Sequence, residues 1–432
     1  MTLKLRKNKK SAHKAQVLAT DAKLTLHVNA DLARYNAQAL NAIWFPPRPE
    51  NSIVRMDPFF STHQYSPVAR LVSSTHDADS LYGQLIWLSL TDDSLPSLAS
   101  RHALSALSYQ HLQRNHDAVA HQTRAIRALQ AAIETPNVQQ TMQMMTASML
   151  LSIFETLNFE SSDLSWSIFF CGTKKIASLV TQKNNAYFGD EALIMDWIFY
   201  HDVMYKFSIC HWMDKNMDQI ELAAQEKIMS KAVFSPERQT IVSILGCSLE
   251  LLDLLCQIIN VVGERHDPSY RAESHKKNIV SLEMRLESID QRHAGVSALD
   301  LNATIHEVKM AELFRLAALL YLLRAAKGEP KSSEAVIRTA ENSFDLLGEV
   351  EYYERPWPLF VIALEAHTDD QRIIISRVLK HSLQRRPLGT MALVKRMIHD
   401  AWIQQDLHDG DMDILTLYGQ IISKNRVPPC FA

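Results

Sequence analysis

Eighteen histidines and two aspartate pairs are the side chains of this sequence with the most obvious capacity for chemistry. A metal site needs ligands that meet on one helix face or in one loop. His102, His111, His116 and His121 come at steps of nine, five and five, which do not stack along a helix. There is no H-E-x-x-H run, His306–Glu307 is a bare dipeptide, and His408 within Asp406–Asp413 lacks the ligand order of a calcium loop. Thr91-Asp92-Asp93-Ser94 and Thr368-Asp369-Asp370-Gln371 hold the paired acids of a D-D-x-x-D diphosphate motif, but each lacks the third acid four residues on. No G-x-S-x-G elbow surrounds a serine, and Cys247 and Cys256 lie in apolar sequence as small core residues. No catalytic residue, metal ligand or cofactor is expected, and a helical enzyme of the terpene-cyclising type is the weaker alternative.

Three charges stand out because each interrupts an apolar run. Glu250 lies within Leu245–Leu252, Arg315 within Glu312–Tyr321, and Glu365 closes the stretch from Trp357. An unpaired buried charge costs several kcal/mol, so such residues pair or reach solvent. Arg315 is expected to bridge to Glu250 or Glu365 across packed helices.

The elements that must position these residues read as helices. Leu104, Leu107, His111 and Leu112 share one face, Ile126, Leu129 and Ile133 continue the pattern, and Pro136 ends it. Met142, Met145, Met149, Ile153 and Leu157 recur at steps of three or four as a core stripe. Further apolar helices are predicted at 191–212, 239–262, 301–326, 333–348, 357–366, 370–386 and 391–404, with no convincing alternating strand. Eleven glycines and 15 prolines in 432 residues suit long helices with few tight turns, and no G-x-G pair marks a phosphate loop. The expected fold is all-α: one large irregular helical domain over 58–432, preceded by a basic, flexible tail and proline-rich connector over 1–57.

Charge and cysteine usage narrow the setting. A net charge of −3 gives the whole chain no bulk attraction for nucleic acid. Five cysteines without a C-x-x-C pair read as reduced thiols of a cytosolic or nuclear protein. No uncharged apolar stretch reaches the roughly 18 residues of a membrane span, which argues against membrane insertion. Lys4, Arg6, Lys7, Lys9, Lys10 and Lys14, with no acid among them, are candidates for nuclear import or phosphate contact.

From about Leu85 to Asp406 the chain resembles the fungal-specific transcription factor domain, the helical regulatory region of many fungal zinc-cluster regulators. Leu150–Leu157, Trp166 and Cys171-Gly172 resemble a leucine-rich "FE" helix followed by W-x-x-H-x-x-G-A, with Phe169 and Thr173 in place of the histidine and alanine. Phe199-Tyr200-His201-Asp202 resembles an aromatic-plus-Asp helix, and Gly246 with Glu250 a G-x-x-x-E-L element. Arg315 through Tyr321 resembles R-x-A-x-x-x-Y-L, and Trp357-Pro358-Leu359-Phe360 with Glu365 and Arg372 resembles W-P-L-F…E-A…R. The resemblance implies a nuclear regulator of transcription, its prior raised toward secondary-metabolite pathways.

The family usually begins with six cysteines that hold two zinc ions against DNA, yet no cysteine precedes Cys171. Either that module lies upstream of this sequence or the chain is a member without it. The basic residues alone would give weak, salt-sensitive, sequence-blind DNA contact, so specificity would come from other transcription factors or co-regulators. Sterol-responsive relatives imply a small apolar effector, for which Met145, Met149, Phe154, Trp166, Tyr200, Tyr205 and Phe360 are the candidate lining. A non-DNA-binding scaffold or dominant-negative partner is the alternative.

Overall fold

A computed structural model of the chain describes residues 78–134, 140–157, 165–181, 189–212, 238–264, 272–293, 301–385, 389–408, 412–425 and 428–432. The basic run from Lys4 to Lys14, Pro136 and the division at residue 57 lie outside the described residues. Among the described residues are fourteen α-helices, one π-helical turn and one short hairpin. The all-α expectation is met, and among the described residues no helix is long and apolar enough to cross a membrane.

The first helices pack as neighbours in sequence. α1 (Ala78–Leu90) meets α2 (Leu95–His111), which pairs along its length with α3 (Asn115–Glu134). Ser94 caps α2 by accepting from the Ser97 amide at 3.4 Å, with Pro96 in the first turn where its missing N–H costs nothing. α4 (Thr141–Leu157) carries the methionine stripe inward against α2 and α5 (Ser165–Thr181). Met142, Met145 and Met149 are all buried there.

α6 (Gly189–His211) runs through the centre, touching α4, α5 and the helix that follows the hairpin. That region corrects the helix predicted over 239–262. β1 (Ile241–Val242) and β2 (Cys247–Ser248) pair antiparallel, and α7 (Leu249–Glu264) begins only after them. Gly246 is the reason: its φ of 73° is left-handed, a conformation glycine takes without steric cost and one that breaks the helical run. α8 (Ala272–Ser288), a largely charged helix, was not predicted because only a thin stripe of it is buried.

α9 (Leu301–Tyr321) does not continue straight through 326. It widens into a π-helical turn, Leu322–Lys327, closed by Gly328 at φ 76°. α10 (Glu334–Glu349) packs on α9 and leads to α11 (Pro356–Leu364), nine residues that are all buried. A helix so enclosed must have its last carbonyls satisfied by side chains. Trp402 Nε1 donates to Ala363 O at 2.8 Å, Gln405 to Leu364 O at 2.8 Å, and Lys331 Nζ to Ala366 O at 3.2 Å. α12 (Asp369–Arg385), α13 (Gly389–Leu407) and α14 (Ile414–Ser423) close the array.

Candidate functional site

A cavity of about 60 Å³ lies where elements distant in sequence converge. Ser152, Ile153 and Thr156 come from α4, Trp166 and Phe170 from α5, and Trp197, Tyr200, His201 and Tyr205 from one face of α6. Ile244 enters from the hairpin turn, Glu354, Arg355 and Pro356 from the start of α11, Ser382 from α12, Thr390 and Met391 from α13, and Cys430 and Ala432 from the last described segment.

The polar residues of the wall are held firmly. Ser382 Oγ accepts from the Tyr353 amide at 2.9 Å and donates to its carbonyl, fixing the strand of chain that carries Glu354 and Arg355. Arg355 is 5% exposed, donates from Nη2 to Ser243 O at 3.0 Å, and lies over the Tyr200 ring at 5.6 Å. Its Nε rests on Gly246, where a Cβ would stand 2.7 Å away, so the glycine both makes the turn and admits the guanidinium. Glu354 is paired with Arg385 at 3.2 Å. The Thr390 hydroxyl makes no hydrogen bond among the described residues, while the Tyr200 hydroxyl lies beside the Arg355 guanidinium and the Tyr205 hydroxyl beside the Cys171 thiol.

Burial keeps the phenols and the thiol of this wall protonated. It pushes the Tyr200 phenol up to about 12, against the pull of Arg355, and the Cys430 thiol up to about 11. Burial, with Cys171 and Asp202 nearby, drives Tyr205 higher still. At neutral pH the wall therefore offers hydroxyl groups and a cation rather than phenolate or thiolate nucleophiles.

The other sequence candidates are placed elsewhere. Met145, Met149, Phe154 and Phe360 are packed in the core rather than on the cavity wall, since tight helix contacts surround them. Of the seven proposed lining residues, Trp166, Tyr200 and Tyr205 line the cavity. Both aspartate pairs serve helix starts: Asp92 accepts from the Ser94 amide at 3.0 Å, and Asp369 and Asp370 lie in the first turn of α12, where the helix dipole favours them. His102 and His121, which sequence spacing separates, meet across α2 and α3 with Nδ1 atoms 3.1 Å apart. Among the described residues no three His, Cys, Asp or Glu gather as a metal would need.

The expected bridge from Arg315 is overturned. Arg315 pairs with Glu312 on its own helix at 2.6 Å and donates to Leu286 O, whereas Glu365 is met by Arg324 at 3.1 Å. Glu250 sits half-buried in the first turn of α7, its amide donating to Arg238 O. The nearest carboxylate, three residues back, captures Arg315 before any distant one can.

The profile of the fungal specific transcription factor domain matches residues 59–423. The chain belongs to this family. It is 24% identical over 373 residues to transcription factor iacI of Pestalotiopsis fici, an alignment covering 82% of this chain and 90% of that one. No solved structure matches it. Membership makes the chain a transcription regulator.

The residues that carried the resemblance have identifiable structural duties in this fungal-specific domain. Tyr321 and Trp357 are edge-on to Phe207 at 5.3 and 5.7 Å, in an aromatic cluster that Phe360, Tyr418 and Phe431 extend. Trp166 stands edge-on to Tyr205 at 5.3 Å. Gly172 faces Ser148 at the crossing of α4 and α5. Asp202 joins Lys174 at 2.6 Å, both fully buried, and Lys206 at 3.1 Å, which reaches toward the surface. Pro358 is buried within α11, and Arg372 holds Asp406 with two bonds of 2.8 and 2.6 Å while lying over Trp402. Sequence reasoning missed Arg355. Its signal was a charge set directly before the apolar run that starts at Pro356.

Proposed function

We propose that this regulator acts in the nucleus on a fungal secondary-metabolite pathway, through other transcription factors or co-regulators, and that its helical domain responds to a small molecule held in the cavity. The observation that carries the reading is the cavity itself. Its wall draws on elements from residue 152 to residue 432, so an occupant would touch six helices set far apart in sequence at once. Family membership over 59–423 supports a regulatory role for those helices. Any DNA contact made by the basic residues before Lys14 is sequence-blind and falls steeply with salt.

Deleting the gene in its fungus tests the reading. Transcripts and metabolites of one co-regulated biosynthetic set are expected to change; a profile indistinguishable from the parent would overturn the pathway role. A footprint by the purified chain on one defined promoter site would overturn the reliance on partners for specificity.

A further inference from the structure

We infer that the cavity is a receptor for a small organic carboxylate, with Arg355 as the counter-charge and the Tyr200, Tyr205 and Thr390 hydroxyls as its hydrogen-bonding partners. This rests on the effector reading above and names the chemistry of the effector.

Arg355 is the starting point. A guanidinium taken out of water is costly unless an anion meets it. Arg355 is nine-tenths buried and forms no ion pair among the described residues; it bonds only neutral groups, the Ser243 carbonyl and the Tyr200 hydroxyl. Nearby acids do not answer it. Glu354 is engaged by Arg385, and burial holds the Tyr200 phenol and the Cys247 thiol in their neutral forms.

Three hydroxyls stand on the same wall: Thr390 lacks a partner, and Tyr200 and Tyr205 have beside them the Arg355 guanidinium and the Cys171 thiol. Tyr200 and Tyr205 are each 2% exposed and Thr390 is 8% exposed, and a buried hydroxyl without a bond costs free energy that a ligand oxygen recovers. A carboxylate suits this set, because it accepts from a planar guanidinium and from hydroxyls together. The remaining wall includes Trp166, Phe170, Trp197 and Ile244, which grip an apolar body. At about 60 Å³ the space corresponds to roughly four to six water-sized positions, so the acid is a short one of about four to six non-hydrogen atoms rather than aromatic or sterol-sized.

The test uses the full chain, with thermal melts and calorimetry against sodium propionate and the neutral isostere propionamide at matched ionic strength. Propionate is expected to raise the Tm in a saturable way while propionamide leaves it unchanged. Arg355→Gln should weaken propionate binding about 30-fold or more. Tyr200→Phe should weaken it about tenfold. If Arg355→Gln fails to fold, Tyr200→Phe decides. Equal responses to propionate and propionamide, no response of the folded parent, or unchanged propionate affinity in Tyr200→Phe would each overturn the inference. A chain that still controls transcription yet binds no propionate keeps the regulator reading and loses this one.

Discussion

Glu365 and Arg324 meet at 3.1 Å with both side chains almost wholly removed from solvent. Removing one partner strands the other, so Glu365→Leu is expected to cost about 3–5 kcal/mol in denaturant unfolding. Replacing both, with Arg324→Met added, should recover most of that loss; a double variant no more stable than the single would show that the pair is not what matters. That Glu365 needed a partner was legible in the sequence, because a carboxylate interrupts an apolar run. Which partner was not. Arg324 is 41 residues away, on a π-helical turn that rotates side chains off the regular helical phase. The His102–His121 contact was equally invisible, since it depends on how α2 and α3 are set against each other. Burial, then the charges of His121, Arg124 and Arg101, depress His102 from 6.5 to about 4, with Asp117 the acid facing His121. The folded state thus favours neutral imidazole: its stabilisation is complete above pH 6.5 and lost as pH falls toward about 4. Glu191 has the opposite slope, because burial raises it from 4.5 to about 7 and rising pH across that window costs stability. The comparison with His102→Gln isolates the histidine: the stability gap between parent and variant should shrink as pH drops from 7 to 5. A gap that does not change with pH would refute it.

At the level of elements, the hairpin Ile241–Ser248 decides where Arg355 can go. Periodicity alone ran a helix through it, since Ile241, Ile244, Leu245 and Leu249 also fit a helical face; the left-handed φ of Gly246 overrides that pattern. Gly246→Ala carries a backbone penalty of about 1–2 kcal/mol and a clash with the arginine, so a loss of at least about 1 kcal/mol is expected. Gly83→Ala is the control. It lies inside α1 with open space where a Cβ would go, and should gain about 0.5–1 kcal/mol. Equal effects at the two glycines would remove the special role of the turn. α11 shows the converse case: its unbroken apolar sequence announced a buried helix, and a buried helix is what forms.

Across the whole molecule, the all-α class was legible because low glycine and helical periodicity act locally, whereas the cavity was not, because its wall is assembled from residues up to 280 apart in sequence (152 to 432). The last described segment illustrates this. Phe431 is fully buried, 5.1 Å from both Phe207 and Phe360, and Pro429 O accepts from Ser208 Oγ at 2.5 Å. Phe431→Ala should therefore cost about 3–5 kcal/mol and lower the Tm of the entire domain in one transition; a loss confined to the last helix would mean that the segment is not integral. The regulatory role itself is best read with the full chain fused to a heterologous sequence-specific DNA-binding module upstream of a reporter gene. Reporter transcription should move away from the level of the module alone, lose that shift with Glu365→Leu, and regain it with Glu365→Leu combined with Arg324→Met. A stably folded fusion that leaves transcription at the level of the bare module would contradict a regulatory function for these helices.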